Sequence, residues 1–345
     1  MIVWVIAGLL ALATGLRIGW AMVNRQSVVS SAMIVALGSL ALVAALNWGP
    51  LTRLVDRVLG WPNISVALSQ IALVASAAGS CVMITSVAST RSSAANRRLA
   101  AAQYGLAVLI AAVSMAVFVA DGRQSEPTTQ DWLVPLLYVM LVLSLVSWVG
   151  LRLSNPSRRG RALFVFTIGV ALIVASVAFF LIRALFSGSA NLVGFGAATA
   201  LTLCALGVVA AGALLPYIED WIGSRRELQL IEPLRRELQR RQPDIGIGVR
   251  PRGPLMFRVA ERLSLISDAL YLESMLAEQN GGDQRPETTP PAGTDHAGQA
   301  LAVARWIKAD SVAAYPGRAW LRQPAYCADR DWILEIAGQY RSLES

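Results

Sequence analysis

The chain has 345 residues, 55% of them hydrophobic and 15% charged, and a formal charge of +8. That charge suggests a nucleic-acid binder until its distribution is examined: residues 1–217 hold 13 Arg against 4 acids, whereas residues 218–345 hold 17 Lys and Arg against 18 acids. The excess sits in or beside short loops between apolar stretches, so no nucleic-acid partner is expected.

Seven apolar spans fill residues 1–217. They run roughly Ile2–Trp20, Val29–Trp48, Ile64–Val87, Leu99–Ala120, Trp132–Leu151, Ala162–Ile182 and Leu192–Pro216. Each has about 20 residues or a little more, enough to cross a hydrocarbon core at about 1.5 Å per residue. None carries an ionised side chain in its middle. Arg17, near the inner end of the first span, can snorkel to the headgroups. That first span lacks a positive n-region and a small-residue cleavage site, so it is expected to stay in the mature protein. The fold class read from the sequence is all-α: a polytopic seven-helix transmembrane bundle over 1–217, and a small helical cytoplasmic domain over 218–345.

The loops alternate in charge. Arg17, Arg25, Arg91, Arg97, Arg98, Arg152, Arg158, Arg159 and Arg161 fall on one side. Arg53, Arg57, Arg123 and Arg183 fall on the other, with Asp56, Asp121, Glu126 and Asp131. Basic loops stay cytoplasmic, which predicts a plasma (inner) membrane protein with its N-terminus outside and its C-terminus inside. Trp4, Trp48, Trp61 and Trp132 then mark outer ends of spans, and Trp20, Trp148 and Trp221 inner ends, where indole is at home.

The spans lack the Asp, Glu, His, Lys or Arg that ion-coupled transport places deep in the membrane. The single histidine, His296, lies in the tail. Haem ligation by paired histidines and a zinc site in the membrane are therefore not expected, and no cofactor is. Cys81, Cys204 and Cys327 are too far apart in sequence to suggest a metal site or a disulfide framework. The third span instead carries Ser65, Ser69, Ala72, Ser76, Ser80 and Met83 at helical spacing on one face. The seventh carries Gly196, Ala200, Cys204, Gly207 and Ala211. Both faces read as tight helix packing. An alternative reading of Ser69, Ser76 and Ser80 is a weakly polar path for a neutral solute. Gln70 lies off the serine face and reads as an interhelical hydrogen-bond donor, while Asn47 and Gln103 read as interfacial.

Beyond Pro216 the seventh helix is expected to continue to about Leu230, and Pro233 to open a new helix, PLRRELQRRQ. Its arginines suggest either a helix held near anionic headgroups or a solvated helix with internal Glu–Arg pairs. After a loop containing Gly246 and Gly248, residues 254–278 form a helix. Its apolar stripe is Val259, Leu263, Ile266 and Leu270, and Trp306, Ile307, Trp332 and Ile336 are its expected cover, with a partner protein as the alternative. Arg258 can pair with Glu261 on its own turn. Arg262 has no acid three or four residues away, so it is expected to reach another element or a partner. Residues 279–296 read as a flexible linker, followed by helices over Gln299–Ala313 and Asp331–Leu343.

The tail resembles an uncharacterised actinobacterial family of multi-pass membrane proteins, usually labelled as transporters, whose members share a C-terminal domain of unknown function. The resemblance rests on Pro233-Leu234, Leu238, Pro243-Asp244-Ile245, Phe257-Arg258, Arg262, Ile266 and Asp268. Where that family has a second Arg and an acid-Ile-Arg-Asp-Gly run, this chain has Glu261, Leu265, Ser267 and Ala269. The resemblance implies a regulatory role.

No catalytic grouping of residues is evident, so the chain is not expected to be an enzyme. The sequence favours a regulatory or receptor-like membrane protein, whose tail meets a cytoplasmic protein through Arg258, Arg262 and Asp268. The alternative is a small-solute transporter or channel not coupled through intramembrane charges. The remaining partner is the lipid bilayer itself.

Overall fold

A computed structural model of the chain describes residues 2–23, 28–89, 92–121, 133–155, 157–186, 195–243, 255–281, 290, 295–309, 311, 314–324 and 327–344. Arg25, Arg91, Arg123, Glu126, Asp131, Trp132, Asp244, Ile245, Gly246 and Gly248 lie outside the described residues, as does most of the expected linker. The described residues form twelve helices and no strand. Seven helices are long and apolar enough to cross a membrane, so the chain is an all-α polytopic membrane protein. It divides into two compact units, Met1–Pro216 and Tyr217–Ser345.

The first unit contains α1 (Ile2–Val23), α2 (Val28–Leu46), α3 (Gly49–Leu59), α4 (Ile64–Ala88), α5 (Ser93–Asp121), α6 (Leu133–Leu153), α7 (Arg158–Phe186) and the start of α8 (Phe195–Arg241). The most buried span is α4, which packs against α2, α3, α5 and α6. Glycine sets the closest approaches. A Cβ added at Gly79 of α4 would lie 2.8 Å from the Ala32 carbonyl oxygen and 2.9 Å from the Ala36 nitrogen, both in α2. One added at Gly212 of α8 would lie 2.5 Å from the backbone nitrogen of Phe166 in α7. Backbones meet this closely because in lipid only van der Waals contact and polar bonds draw helices together. The hydroxyls of Ser114, Ser147, Thr167 and Ser176 each donate to the carbonyl four residues back, at 2.7–3.0 Å, and so need no water. Large apolar side chains on the outer faces, such as Val108 and Leu141, remain exposed, as lipid-facing residues must. Arg152 lies over the Trp148 ring at 4.8 Å and Arg225 over Trp221 at 5.2 Å, pairings that suit an interface.

Three sequence readings need correction. Residues 49–59, assigned no helix, form α3; the search was for wholly apolar spans, and this segment is amphipathic. The small-residue face of the seventh span points the wrong way. Ala200, Cys204 and Ala211 are exposed, Gly207 is half-buried near Ile6 of α1, and Ala205, Leu206, Val209, Ala210 and Gly212 face the bundle; the Gly196 side chain lies outside the described ones. Small residues on both faces of α8 made the choice ambiguous. Finally, Pro233 opens no new helix, because α8 runs unbroken to Arg241. A proline inside a helix loses one backbone bond. Here Ile231, Leu234 and Leu238, all 0% exposed, anchor the helix on both sides of it. At 47 residues α8 is far longer than the roughly 20 that a bilayer needs. Glu219 and Asp220 come three and four residues after Pro216, so the crossing portion ends near that proline.

The second unit packs the end of α8 with α9 (Leu255–Gly281), α10 (His296–Ala309), the single turn α11 (Arg318–Leu321) and α12 (Asp329–Glu344). Residues 279–281 and His296, assigned to the linker, are helical. Val259, Leu263, Ile266 and Leu270 share one buried core with Trp306, Ile307, Trp332 and Ile336, as their spacing implied. Polar side chains close the joints. The buried Gln299 amide donates to the Trp320 and Arg322 carbonyls at 2.9 Å each, fastening α11 to α10. The Trp332 indole donates to the Leu321 carbonyl at 3.3 Å.

Candidate functional site

Two faces of α9 carry the polar residues singled out in the tail, and the fold separates them. Arg258 and Arg262 are one turn apart; Asp268, six residues on, lies about 120° around the helix.

The arginine face turns to α8. There Glu232 is the hub of a charge cluster. Arg235 donates to both of its oxygens at 2.9 and 3.0 Å, Arg236 donates at 3.0 Å, and the Arg262 guanidinium sits 3.6 Å away. The hydrogen bonds from Arg235, then that from Arg236, hold the Glu232 carboxyl down at about 2. One turn on, Glu237 accepts from Arg240 and Arg241 and is likewise held at about 2. Arg241, 10% exposed, also lies 3.7 Å from Glu273 and donates to the Ile307 carbonyl. Of the two readings of this stretch, internal Glu–Arg pairing is the one observed. Arg262 reaches another element, as its lack of a local acid implied. Arg258 does not pair with Glu261, which is exposed; its Nε is buried without a hydrogen-bond partner.

The Asp268 face lines a groove between α9 and α11–α12. One cavity of about 430 Å³ is bounded by Ser264, Ser267, Asp268, Asp329 and Arg330 over Val259, Leu263 and Ile333. A second, of about 620 Å³, shares Ser267, Asp329 and Ile333 with the first and extends past Tyr271 to Arg318 and Arg322. The floor is apolar and the rim charged. Arg330 is bound to Glu227 at 2.5 Å, and Arg318 stacks on the Tyr271 ring at 5.3 Å while donating to its hydroxyl. Asp268 and Asp329 are exposed and form no ion pair with another described residue. The groove is therefore acidic at its centre and basic at its α11 end. Tyr271, Arg318, Arg322 and Asp329 were not singled out from sequence. Arg318 and Arg322 stand four apart beside a Trp, but only the fold of α11 against α9 brings them to Asp268.

In the bundle, Ser76 and Ser80 are each 1% exposed on α4, and Ser69 is half-buried. They do share a face, beside Gly79 and its close approach to α2. Among the described residues no three His, Cys, Asp or Glu side chains converge as a metal ion would require.

No family model, curated protein or solved structure matches the chain.

Proposed function

We propose that this integral membrane protein is regulatory or receptor-like rather than enzymatic, and that its C-terminal unit faces the cytoplasm and binds a partner protein through the α9–α11–α12 groove. The observation that carries the reading is the groove itself. It joins an apolar floor to a rim whose two acids, Asp268 and Asp329, are exposed and form no ion pair among the described residues. Such a surface suits a short protein segment with apolar anchors, a Lys or Arg opposite the acids, and a carboxylate opposite Arg318 and Arg322. Recognition then depends on Asp268, while Arg262 acts through Glu232 to hold α9 in place. The tight α2–α4 approach beside Ser76 and Ser80 favours this reading over a solute path along the serines.

A photo-crosslinking amino acid at Ser267 of the full-length protein, in cells, tests it. The expected result is one discrete adduct that disappears when Asp268→Lys is added, with no change in the protein's level or melting temperature. The adduct persisting unchanged, or crosslinks spread over many proteins, would refute partner binding in the groove.

A further inference from the structure

The helix α3 has a composition unlike any span, and the fold leaves one of its faces uncovered. Over eleven residues, GPLTRLVDRVL, it presents three faces. Leu51, Thr52, Val55 and Asp56 turn to the bundle and are half-buried, with Val55 packed against the bundle core. Leu54 and Val58, one turn apart, are 54% and 73% exposed. Arg53 and Arg57, one turn apart, are exposed beside them.

This arrangement is fixed, not a frayed connection. The Thr52 hydroxyl donates to the Leu46 carbonyl at 2.6 Å, tying α3 to the end of α2. The Asp56 carboxylate accepts from the Ser65 backbone N–H at 2.9 Å, capping α4. Trp48 and Trp61, each 41% exposed, flank the two ends. The helix therefore lies across the mouth of the α2–α4 pair, where two membrane-crossing helices end.

We propose that α3 is an interfacial helix seated in the bilayer surface. Leu54 and Val58 enter the boundary between headgroups and acyl chains, and Arg53 and Arg57 meet lipid phosphates. Three observations name the bilayer as the occupant. The helix packs against α2 and α4, spans whose exposed Leu42 and Val66 must themselves face lipid. The two arginines stand on the adjoining face, where an amphipathic surface helix carries its basic residues. Trp48 and Trp61 bracket the helix in sequence, and indole favours the membrane interface.

The test uses full-length protein, free of native cysteines, in vesicles of phosphatidylcholine and phosphatidylglycerol. Single nitroxide labels are placed at Leu54, Val58, Arg53 and Arg57, with one at Val108 of α5 as a lipid-facing reference. Labels at 54 and 58 should collide with oxygen several-fold more readily than with a water-soluble nickel complex, as at 108; those at 53 and 57 should show the reverse. Equal nickel access at all four positions of α3 would overturn the proposal. So would spin–spin broadening at Leu54 that survives dilution with lipid, since a second copy would then cover the face. Unchanged melting temperatures of the labelled proteins confirm that the folded state is being read.

Discussion

Glu232 is the residue on which the order of the second unit most depends. Its neighbours Arg235 and Arg262 are only 14% and 19% exposed, so removing the carboxylate takes an acid from two half-buried cations, of which Arg235 keeps its bond to Gln239. Glu232→Gln should cost about 2 kcal/mol at neutral pH. The sign of the pH effect follows from the direction of the shift. A carboxyl lowered from 4.5 to about 2 in the folded protein stabilises it above pH 4.5, and that contribution fades as pH falls toward 2. Hydrogen-exchange protection in α9 should therefore drop between pH 5 and 2 in the parent, and drop less in Glu232→Gln. Equal pH dependence in the two proteins would show that the cluster does not hold α9. The reach of Arg262 was legible in the sequence, because helical spacing excludes a local partner. The acid it reaches was not: Glu232 is thirty positions earlier, and only the packing of α9 on α8 brings them together.

Helix faces decide what the elements do, and they were read with uneven success. In α9 one face is apolar and the others are not, so the buried side was legible. In α4 every residue from Ser76 to Ile84 is buried, so the serine face is only one of its buried sides. In α8 both faces carry small residues, and the exposed one was chosen. The consequence can be tested by contrast. Gly79→Leu and Gly212→Leu each push a side chain into the backbone of a neighbouring helix and should lower the melting temperature in detergent, by an amount corresponding to roughly 3 kcal/mol. Ala200→Leu, on the exposed face, should melt like the parent. Destabilisation by Ala200→Leu alone would mean that the face of α8 now described as exposed is the packed one. The helix α3 was missed for a different reason. Its signal is amphipathic periodicity over eleven residues, too short and too polar for a search for spans. The unbroken run of α8 through Pro233 defeats a local rule, because tertiary anchoring at Ile231, Leu234 and Leu238 outweighs one lost hydrogen bond.

At the scale of the whole molecule, seven spans were legible because lipid imposes a simple demand: every crossing segment must be long, apolar and internally bonded. The groove was not legible, since its rim is assembled from residues about fifty positions apart whose only link is the fold. Everything proposed about function rests on the further proposal that the second unit faces the cytoplasm, which the alternation of arginine-rich loops supports. The most direct measurement is thiol labelling in intact cells, with Cys81, Cys204 and Cys327 replaced. A cysteine at Gln124 should react with a membrane-impermeant reagent, and one at Ser157 should react only after the cells are opened. Labelling of Ser157→Cys but not Gln124→Cys in intact cells would contradict the account, because the groove would then lie outside the cell.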